Sequence, residues 1–238
     1  MKNKNILGHL QIIMSSSLFG LMPLFTKMAY SYGATPITVA FCRCFYAAII
    51  LAIMLPFMKK NIFSIERKQI VPMLKIAIPF GLIPVALFIA YTYLDSGMAT
   101  ILFYTHPIFV MVLSILMYHT FPSKKQILCM ILCLVGIVLL NAIQGEMKVI
   151  GIAVAILAGF IYSIYVIACG QKGIEEIDPA VLSFWINLFA AIAVSIIGIV
   201  TRQLMIVTEP MGQLSMFVLA LLVSVIAVLL FQHGVLVT

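Results

Sequence analysis

Four consecutive residues, Tyr104 to Pro107, place polar side chains inside a long apolar stretch of the sequence. Tyr104, Thr105 and His106 offer hydrogen-bond donors and acceptors, and Pro107 has no N–H to bond the carbonyl oxygen of Phe103. Such groups cost free energy in an apolar segment unless they find partners or face a polar interior. We therefore predict that this segment lines a cavity for a small solute. The alternative is that Pro107 only bends a helix for packing.

A second kinked region lies upstream, where Pro79, Gly81 and Pro84 share one apolar run with Tyr91. Each proline removes a backbone donor and disturbs a helix, so polar side chains and free carbonyl groups are expected together here. The sequence predicts helix kinks at Pro79 and Pro84 and places Tyr91 on the wall of the same cavity. Bending for packing alone is again the alternative.

Two basic residues, Lys27 and Arg43, fall inside apolar runs. A long basic side chain near the end of a membrane helix commonly extends to the interface. The alternatives are a structural ion pair with Asp95 or a contact with an anionic group of a substrate. Both residues are therefore candidates for substrate binding.

Catalytic and phosphate-binding motifs are absent from the sequence, which has no G-x-x-x-x-G-K-[ST], H-E-x-x-H or G-x-S-x-G. The acidic residues all lie at or between the ends of apolar runs, and the cysteines lack neighbours that would complete a metal site. The acids are Glu66, Asp95, Glu146, Glu175, Glu176, Asp178 and Glu209, and the cysteines are Cys42, Cys44, Cys129, Cys133 and Cys169. We predict buried structural thiols, no metal, no cofactor and no enzymatic activity.

Composition identifies the elements that must position these residues. The chain has 238 residues, of which 64% are hydrophobic and only 9% charged, and its mean hydropathy of +1.23 excludes a soluble globular protein. A bilayer core needs about 20 apolar residues per helix. The sequence therefore predicts an all-α integral membrane protein with about eight spanning helices, over 7–29, 36–57, 73–94, 98–118, 126–143, 150–170, 179–200 and 214–237.

The net charge of +7 is distributed by topology, so a nucleic-acid partner is not indicated. If the helices alternate, ten basic residues fall on one side and two, Lys148 and Arg202, on the other. The ten are Lys2, Lys4, Lys59, Lys60, Arg67, Lys68, Lys75, Lys124, Lys125 and Lys172. This asymmetry predicts a multi-pass cell-membrane protein with a cytoplasmic N-terminus. The first apolar run is too long for a signal peptide, and we expect it to be retained as a helix.

The sequence also repeats weakly, because an offset of 143 residues aligns 8–95 with 151–238 without a gap. Pro36 then matches Pro179, and Glu66 matches Glu209. A first unit, 1–146, would hold five helices, and an odd number makes the second unit inverted, as in many secondary transporters. The second unit, 147–238, would hold three helices and be incomplete.

Small residues recur every four positions in the predicted sixth helix, which suits close helix packing. They are Gly151, Ala155, Gly159 and Ser163, and Gly8, Ser16 and Gly20 form a matching stripe in the first helix. Tyr162 and Tyr165 flank the stripe in the sixth helix and are candidate ligand contacts. Because the second unit is short, we expect the stripe in the sixth helix to be partly uncovered and a homo-oligomer to be possible.

Several segments together resemble the EamA-type members of the drug/metabolite transporter superfamily. They are SSSLFGLMPLFTK, PITVAFCR, YTHPIFVMVLS, LVGIVLL and GIAVAILAGFIYSIYVI, although the family's acidic residue after the fourth helix is missing from YHTFPSKKQ. The resemblance implies a secondary transporter in the lipid bilayer, an exporter that moves small organic metabolites or drugs by alternating access. The alternative is a truncated, transport-incompetent remnant or a small membrane scaffold that retains the fold.

Overall fold

Helices are the regular secondary structure of the described chain, which covers residues 2–119, 121–123, 127–128, 130–132, 135–136, 148–170 and 177–231 of a computed structural model. They are α1 (Lys2–Gly20), α2 (Met22–Ser31), α3 (Pro36–Phe57), α4 (Arg67–Tyr93), α5 (Ser96–Phe103), α6 (His106–Tyr118), α7 (Val149–Cys169), α8 (Pro179–Val200), α9 (Pro210–Leu219) and a π-helical turn, Ala220–Ile226.

These residues provide seven helices that are long and apolar enough to cross a membrane, if α1 is counted with α2, α5 with α6, and α9 with the π-helical turn. The predicted all-α integral membrane fold is confirmed. The predicted helix over 126–143 lies largely outside the described residues, so the total of eight stays a prediction.

The helix starts follow from local capping. α3 and α8 both begin with proline, which suits the first helical position. The hydroxyl of Thr35 accepts from the Thr38 N–H, and the carboxylate of Asp178 accepts from the Ala180 N–H. α4 begins at Arg67, earlier than the predicted residue 73, because Glu66 and Gln69 form a reciprocal capping box. α9 likewise begins at Pro210, ahead of the predicted residue 214.

Two helices that the sequence predicts as continuous are interrupted. The predicted helix over 7–29 is broken at Leu21, and the predicted helix over 98–118 is broken at Tyr104 and Thr105, just before Pro107. The predicted helix over 214–237 is continuous as far as it is described, to Phe231, but its winding changes over Ala220–Ile226, where seven residues form a π-helical turn. Such a turn carries extra residues per turn and is often found at functional sites.

Packing centres on α4, which contacts α7 and α8 most extensively. α3 packs on α8 and on the π-helical turn, α2 packs on α9, and both α5 and α6 pack on α7. Phe88 and Leu51, which are fully or almost fully buried, lie in the two main apolar clusters between these helices.

Polar contacts join the loops at the two ends of the bundle. At one end, Nζ of Lys27 lies 3.2 Å from the carboxylate of Asp95, and the Thr35 hydroxyl donates to the carbonyl oxygen of Gln203 at 2.5 Å. At the other end, Nζ of Lys60 lies 2.7 Å from the carboxylate of Asp178. The 22-residue helix α3 separates the two ends.

The stripe of small residues in α7 is covered, contrary to the expectation that it is partly exposed. Gly151, Ala155, Gly159 and Ser163 are all buried, because α4, α5 and α6 pack on this helix. In the matching stripe of α1, Gly8 is buried but Ser16 and Gly20 are exposed. A Cβ built on Gly20 would meet nothing within 4 Å.

The cysteines do not share one environment. Cys42 and Cys44 are buried in α3, as predicted, whereas Cys169 is exposed because it is the last residue of α7. The prediction of a buried thiol is therefore wrong for Cys169. Cys129 and Cys133 lie outside the described residues.

Candidate substrate-binding site

The break between α5 and α6 is an irregular stretch of backbone on the side of the bundle that packs against α7. The N–H of Thr105 donates to the carbonyl oxygen of Leu102 at 3.1 Å, and that oxygen also accepts from the Thr105 hydroxyl at 2.8 Å. Pro107 cannot donate to the carbonyl of Phe103. The break thus presents polar backbone next to Tyr104 and His106, in the manner of broken helices in transporters.

This break lies directly against α7 at Gly159. A Cβ on Gly159 would come within 2.9 Å of the Phe103 carbonyl oxygen and 3.2 Å of the Thr105 hydroxyl. Only a residue without a side chain allows the backbones to come this close. Gly159 is therefore both a packing residue and a support for the candidate site.

His106 lies at the centre of an aromatic group contributed by the break and by α7. Its ring stacks on Tyr162 with centroids 4.4 Å apart and meets Phe103 edge-on at 5.2 Å. The Nδ1 atom of His106 is buried and has no hydrogen-bond partner among the described residues. Buried polar atoms are normally paired, so this nitrogen can serve a bound molecule.

The aromatic contacts continue from His106 toward α3. Tyr162 contacts Tyr165 at 5.7 Å, and Tyr165 contacts Phe80 at the same distance between centroids. The guanidinium carbon of Arg43 lies 5.5 Å from the centroid of Phe80. We call His106, Tyr162, Tyr165 and Phe80 the aromatic row; Arg43 stands at its far end.

Arg43 is 6% exposed, which excludes extension of its side chain to the interface. Its Nε donates to the hydroxyl of Ser224 at 2.7 Å, and Ser224 belongs to the π-helical turn. The considered ion pair between Arg43 and Asp95 is not formed, because Asp95 pairs with Lys27 at the end of the bundle.

Lys27 and Asp95 form a solvent-exposed pair at the rim. The hydrogen bond from Lys27, assisted by the N–H of Gly97, lowers the pKa of the Asp95 carboxyl below its ordinary value. Both side chains are substantially exposed, so the pair contributes little free energy. Lys27 therefore lies away from the aromatic row.

The remaining predicted residues are split between the site and its support. Tyr104 is 56% exposed, and its ring lies 5.9 Å from that of His106. Tyr91 is buried with its hydroxyl 3.0 Å from that of Thr100, which donates its own hydrogen to the Ser96 carbonyl. Tyr91 must therefore donate in that pair, and it holds α5 against α4.

A cavity of about 360 Å³ lies beside the aromatic row, between α4, α6 and α7. Its walls are apolar except for Lys75, and the predicted kink residue Pro79 lies in its lining. The lining residues are Lys75, Ile78, Pro79, Leu113, Met117, Ile164, Ile167 and Ala168. Pro84 is buried in α4, one turn beyond Phe80.

Sequence reasoning did not select two side chains of this arrangement, namely Ser224 and Phe80. Ser224 is a lone hydroxyl in a strongly apolar run, which is a usable signal. Phe80 carries no such signal, because aromatic residues are common in membrane helices. Only the packing of α4 on α7 brings Phe80 to Tyr165.

Comparisons with known proteins find one family model and one curated relative. The model of the EamA-like transporter family matches residues 6–142. An uncharacterized transporter of Synechocystis sp. is 28% identical over 123 residues, a match that covers 50% of this chain and 37% of that protein. This chain therefore aligns with well under half of that relative's length. No solved structure matches the chain.

Proposed function

The chain belongs to the EamA-like transporter family, and from this premise we propose that it exports small organic solutes across the cell membrane. Transport would proceed by alternating access between two inverted units, 1–146 and 147–238, around a binding site at their interface. The N-terminus would face the cytoplasm.

One observation carries this proposal, which is the contact between His106 and Tyr162. It joins the helix break of the first unit to the first helix of the second unit. The buried Nδ1 of His106, which has no hydrogen-bond partner in the described part of the chain, lies at this junction. A solute that inserts between the two helices would meet hydrogen-bonding groups and aromatic faces at once.

The helix pairing supports the inverted repeat. The offset of 143 residues relates α1 and α2 to α7, α3 to α8, and α4 to α9. Under this relation the contact of α4 with α7 corresponds to the contact of α9 with α2, and both contacts are present. The contact of α3 with α8 corresponds to itself, because the relation exchanges these two helices. A twofold relation between the units produces this pattern.

The residues proposed for the site have different roles. Tyr104, Thr105, His106 and Tyr162 would contact the solute, and Arg43 would contact it at the far end of the aromatic row. Lys27 would act at the rim, and Tyr91 would hold α5 in place. Gly159 would let the helix break lie against α7.

Flux measurements test the proposal. The purified protein is reconstituted into liposomes, and counterflow is measured for a panel of radiolabelled amino acids, monocarboxylates, nucleosides and amines. We expect saturable flux for at least one class, strongly reduced by His106→Asn. His119→Asn is the matched control, since His119 is an exposed residue in the left-handed conformation that asparagine tolerates.

Two results would contradict the proposal. Flux equal to that of protein-free liposomes for every solute would favour the alternative of a transport-incompetent remnant or scaffold. Flux that survives His106→Asn unchanged would separate transport from this site.

A further inference from the structure

Arg43 is a buried cation without an anionic partner among the described residues. It is 6% exposed, and the one hydrogen bond that its guanidinium makes with a described residue goes to the neutral hydroxyl of Ser224. Arginine stays protonated in proteins. A charge removed from water costs free energy unless a counter-charge and hydrogen bonds compensate it.

Three of the four described acids are engaged elsewhere, and the fourth, Glu209, is exposed at the start of α9. Asp95 pairs with Lys27, and Asp178 pairs with Lys60 at 2.7 Å. Glu66 pairs with Lys68 at 2.8 Å while it caps α4. Each of these carboxylates is fixed at a membrane boundary, whereas Arg43 lies within the 22-residue helix α3, seven residues after its start.

The surroundings of the guanidinium leave one edge available. Ser224 occupies the Nε edge at 2.7 Å, and the ring of Phe80 covers a face at 5.5 Å. The two terminal amino groups have no hydrogen-bond partner among the described residues. This edge matches the two oxygens of a carboxylate, which accept two parallel hydrogen bonds from arginine.

We propose that Arg43 binds the carboxylate of an anionic solute, while the apolar part of the solute lies along the aromatic row. This inference names the substrate class of the site and rests on the proposed function, because a solute reaches buried Arg43 only when the surrounding helices part. Ser224 is a positioning residue, since its hydroxyl fixes the guanidinium edge that faces the solute.

The charge at the site favours a singly charged carboxylate over a doubly charged phosphate. Among the described residues, Arg43 is the cation that contacts the aromatic row, through the ring of Phe80. Lys27 is held by Asp95, and Lys75 is exposed beside the apolar cavity. A single guanidinium neutralises one negative charge, so a second charge would be buried uncompensated.

Matched pairs of probes test the carboxylate alone. Benzoate, phenylacetate and hexanoate are each compared with their uncharged amides for stabilisation of the purified protein in detergent against thermal unfolding. We expect the melting temperature to rise with at least one acid and not with its amide. Loss of a buried charge partner weakens binding by roughly thirty-fold or more, so Arg43→Met should remove the rise at the same concentration.

The Arg43→Met substitution also separates binding from folding. Replacing a buried charge with an apolar side chain of similar size is often neutral or stabilising, so the unliganded variant should melt no lower than the wild type. If it does not fold, Arg43→Lys serves instead, because it keeps the charge but loses the paired donors. Arg202→Gln, at an exposed arginine, is the control for charge removal.

Ser224→Ala should weaken the acid-induced rise without abolishing it. Ser215→Ala is its matched control, because Ser215 is also buried but donates to the carbonyl of Gly212 in its own helix. Equal stabilisation by acid and amide, no stabilisation by any acid, or a rise retained in whichever Arg43 variant is used would overturn the proposal. Flux of neutral solutes through the same protein would then leave the transport function standing.

Discussion

The Cα atom of Gly159 in α7 lies so close to Phe103 in α5 that an added Cβ would come within 2.9 Å of the Phe103 carbonyl oxygen. That oxygen is the one that Pro107 leaves without its helical donor. The helix break and the glycine therefore fit each other between α5 and α7, and neither is explained by its own helix alone.

Gly159→Ala should destabilise the protein and reduce flux. The new methyl group meets backbone and the Thr105 hydroxyl at 3.2 Å, so the break must move away from α7. Overpacking of this kind costs about 1–3 kcal/mol. Melting in detergent and counterflow in liposomes measure the two effects.

Gly20→Ala is the control for this substitution, since its Cβ would meet nothing within 4 Å. It should be neutral or stabilise the protein by up to about 1 kcal/mol, because alanine is the better helix former. Equal melting temperatures for Gly159→Ala and the wild type would show that the close approach carries no energetic weight.

The parts of the fold that were predictable are those with local causes. α3 and α8 begin and end as predicted, at 36–57 and 179–200, because capping residues and proline define their first turns. The start of α4 is predicted too late, at residue 73, because the apolar pattern begins there. The helix itself begins at Arg67, in a charged segment where Glu66 and Gln69 form a capping box. The break at Tyr104 lies just before Pro107. The sequence predicts a kink at this proline.

The parts that were not predictable depend on distant contacts. Arg43 and Ser224 are 181 residues apart in the chain, and their bond requires the π-helical turn to aim Ser224 at α3. Nothing in the local sequence of 220–226 specifies that winding. The partner of Asp95 was likewise open between Lys27 and Arg43 until the packing of α2 near α4 was known.

Asp95 should titrate with a lowered pKa that depends on Lys27. Because the pKa of Asp95 is lower in the folded state, the pair stabilises the fold at pH values above the ordinary aspartate pKa of about 3.9. This stabilisation is lost as the pH falls through the pKa that Asp95 has in the folded protein. Lys27→Gln should raise the pKa of Asp95 toward its ordinary range. Stability at neutral pH should change by less than about 1 kcal/mol, since both side chains are exposed.

Two substitutions at Asp95 separate charge from capping. Asp95→Asn removes the charge but keeps an N-cap acceptor for the Gly97 N–H, whereas Asp95→Ala removes both. The alanine variant should be the less stable by about 1 kcal/mol at neutral pH. Unfolding free energies followed from neutral to acidic pH measure this, and equal losses in both variants would contradict the capping role.

Orientation can be tested at the two ends of the bundle. In a background without the native cysteines, Gln203→Cys should react with a membrane-impermeant maleimide in intact cells, whereas Asn61→Cys should react only after the membrane is permeabilised. Both positions are exposed and lie in loops at opposite ends. The positive charges near Asn61 predict this result, and the reverse labelling pattern would place the N-terminus outside.

The exposed face of α1 and α2 differs from α7 at the positions that the sequence offset of 143 residues aligns. Ile167 in α7 is 8% exposed, while Leu24 in α2, its aligned residue, is 61% exposed. Gly159 and Ser163 are covered by the α5–α6 break and its neighbours, but Ser16 and Gly20 have no such cover among the described residues. The hydroxyl of Ser16 donates to the Ile12 carbonyl in its own helix. The hydroxyl therefore needs no partner outside the helix, and the face is suited to helix packing.

We expect two copies of the chain to associate through this face of α1 in a membrane. Ile13→Cys, at a position 63% exposed on α1, should form a disulfide-linked dimer under mild oxidation in a background without the native cysteines. Ile196→Cys is the matched control, because Ile196 is 57% exposed on α8 and lies away from the α1 stripe. Adding a leucine side chain at Gly20 in the Ile13→Cys background should reduce the cross-link, since small residues allow the close approach of two helices. A cross-link of equal yield at both positions would indicate random collision, and its absence at Ile13 would mean that lipid covers α1.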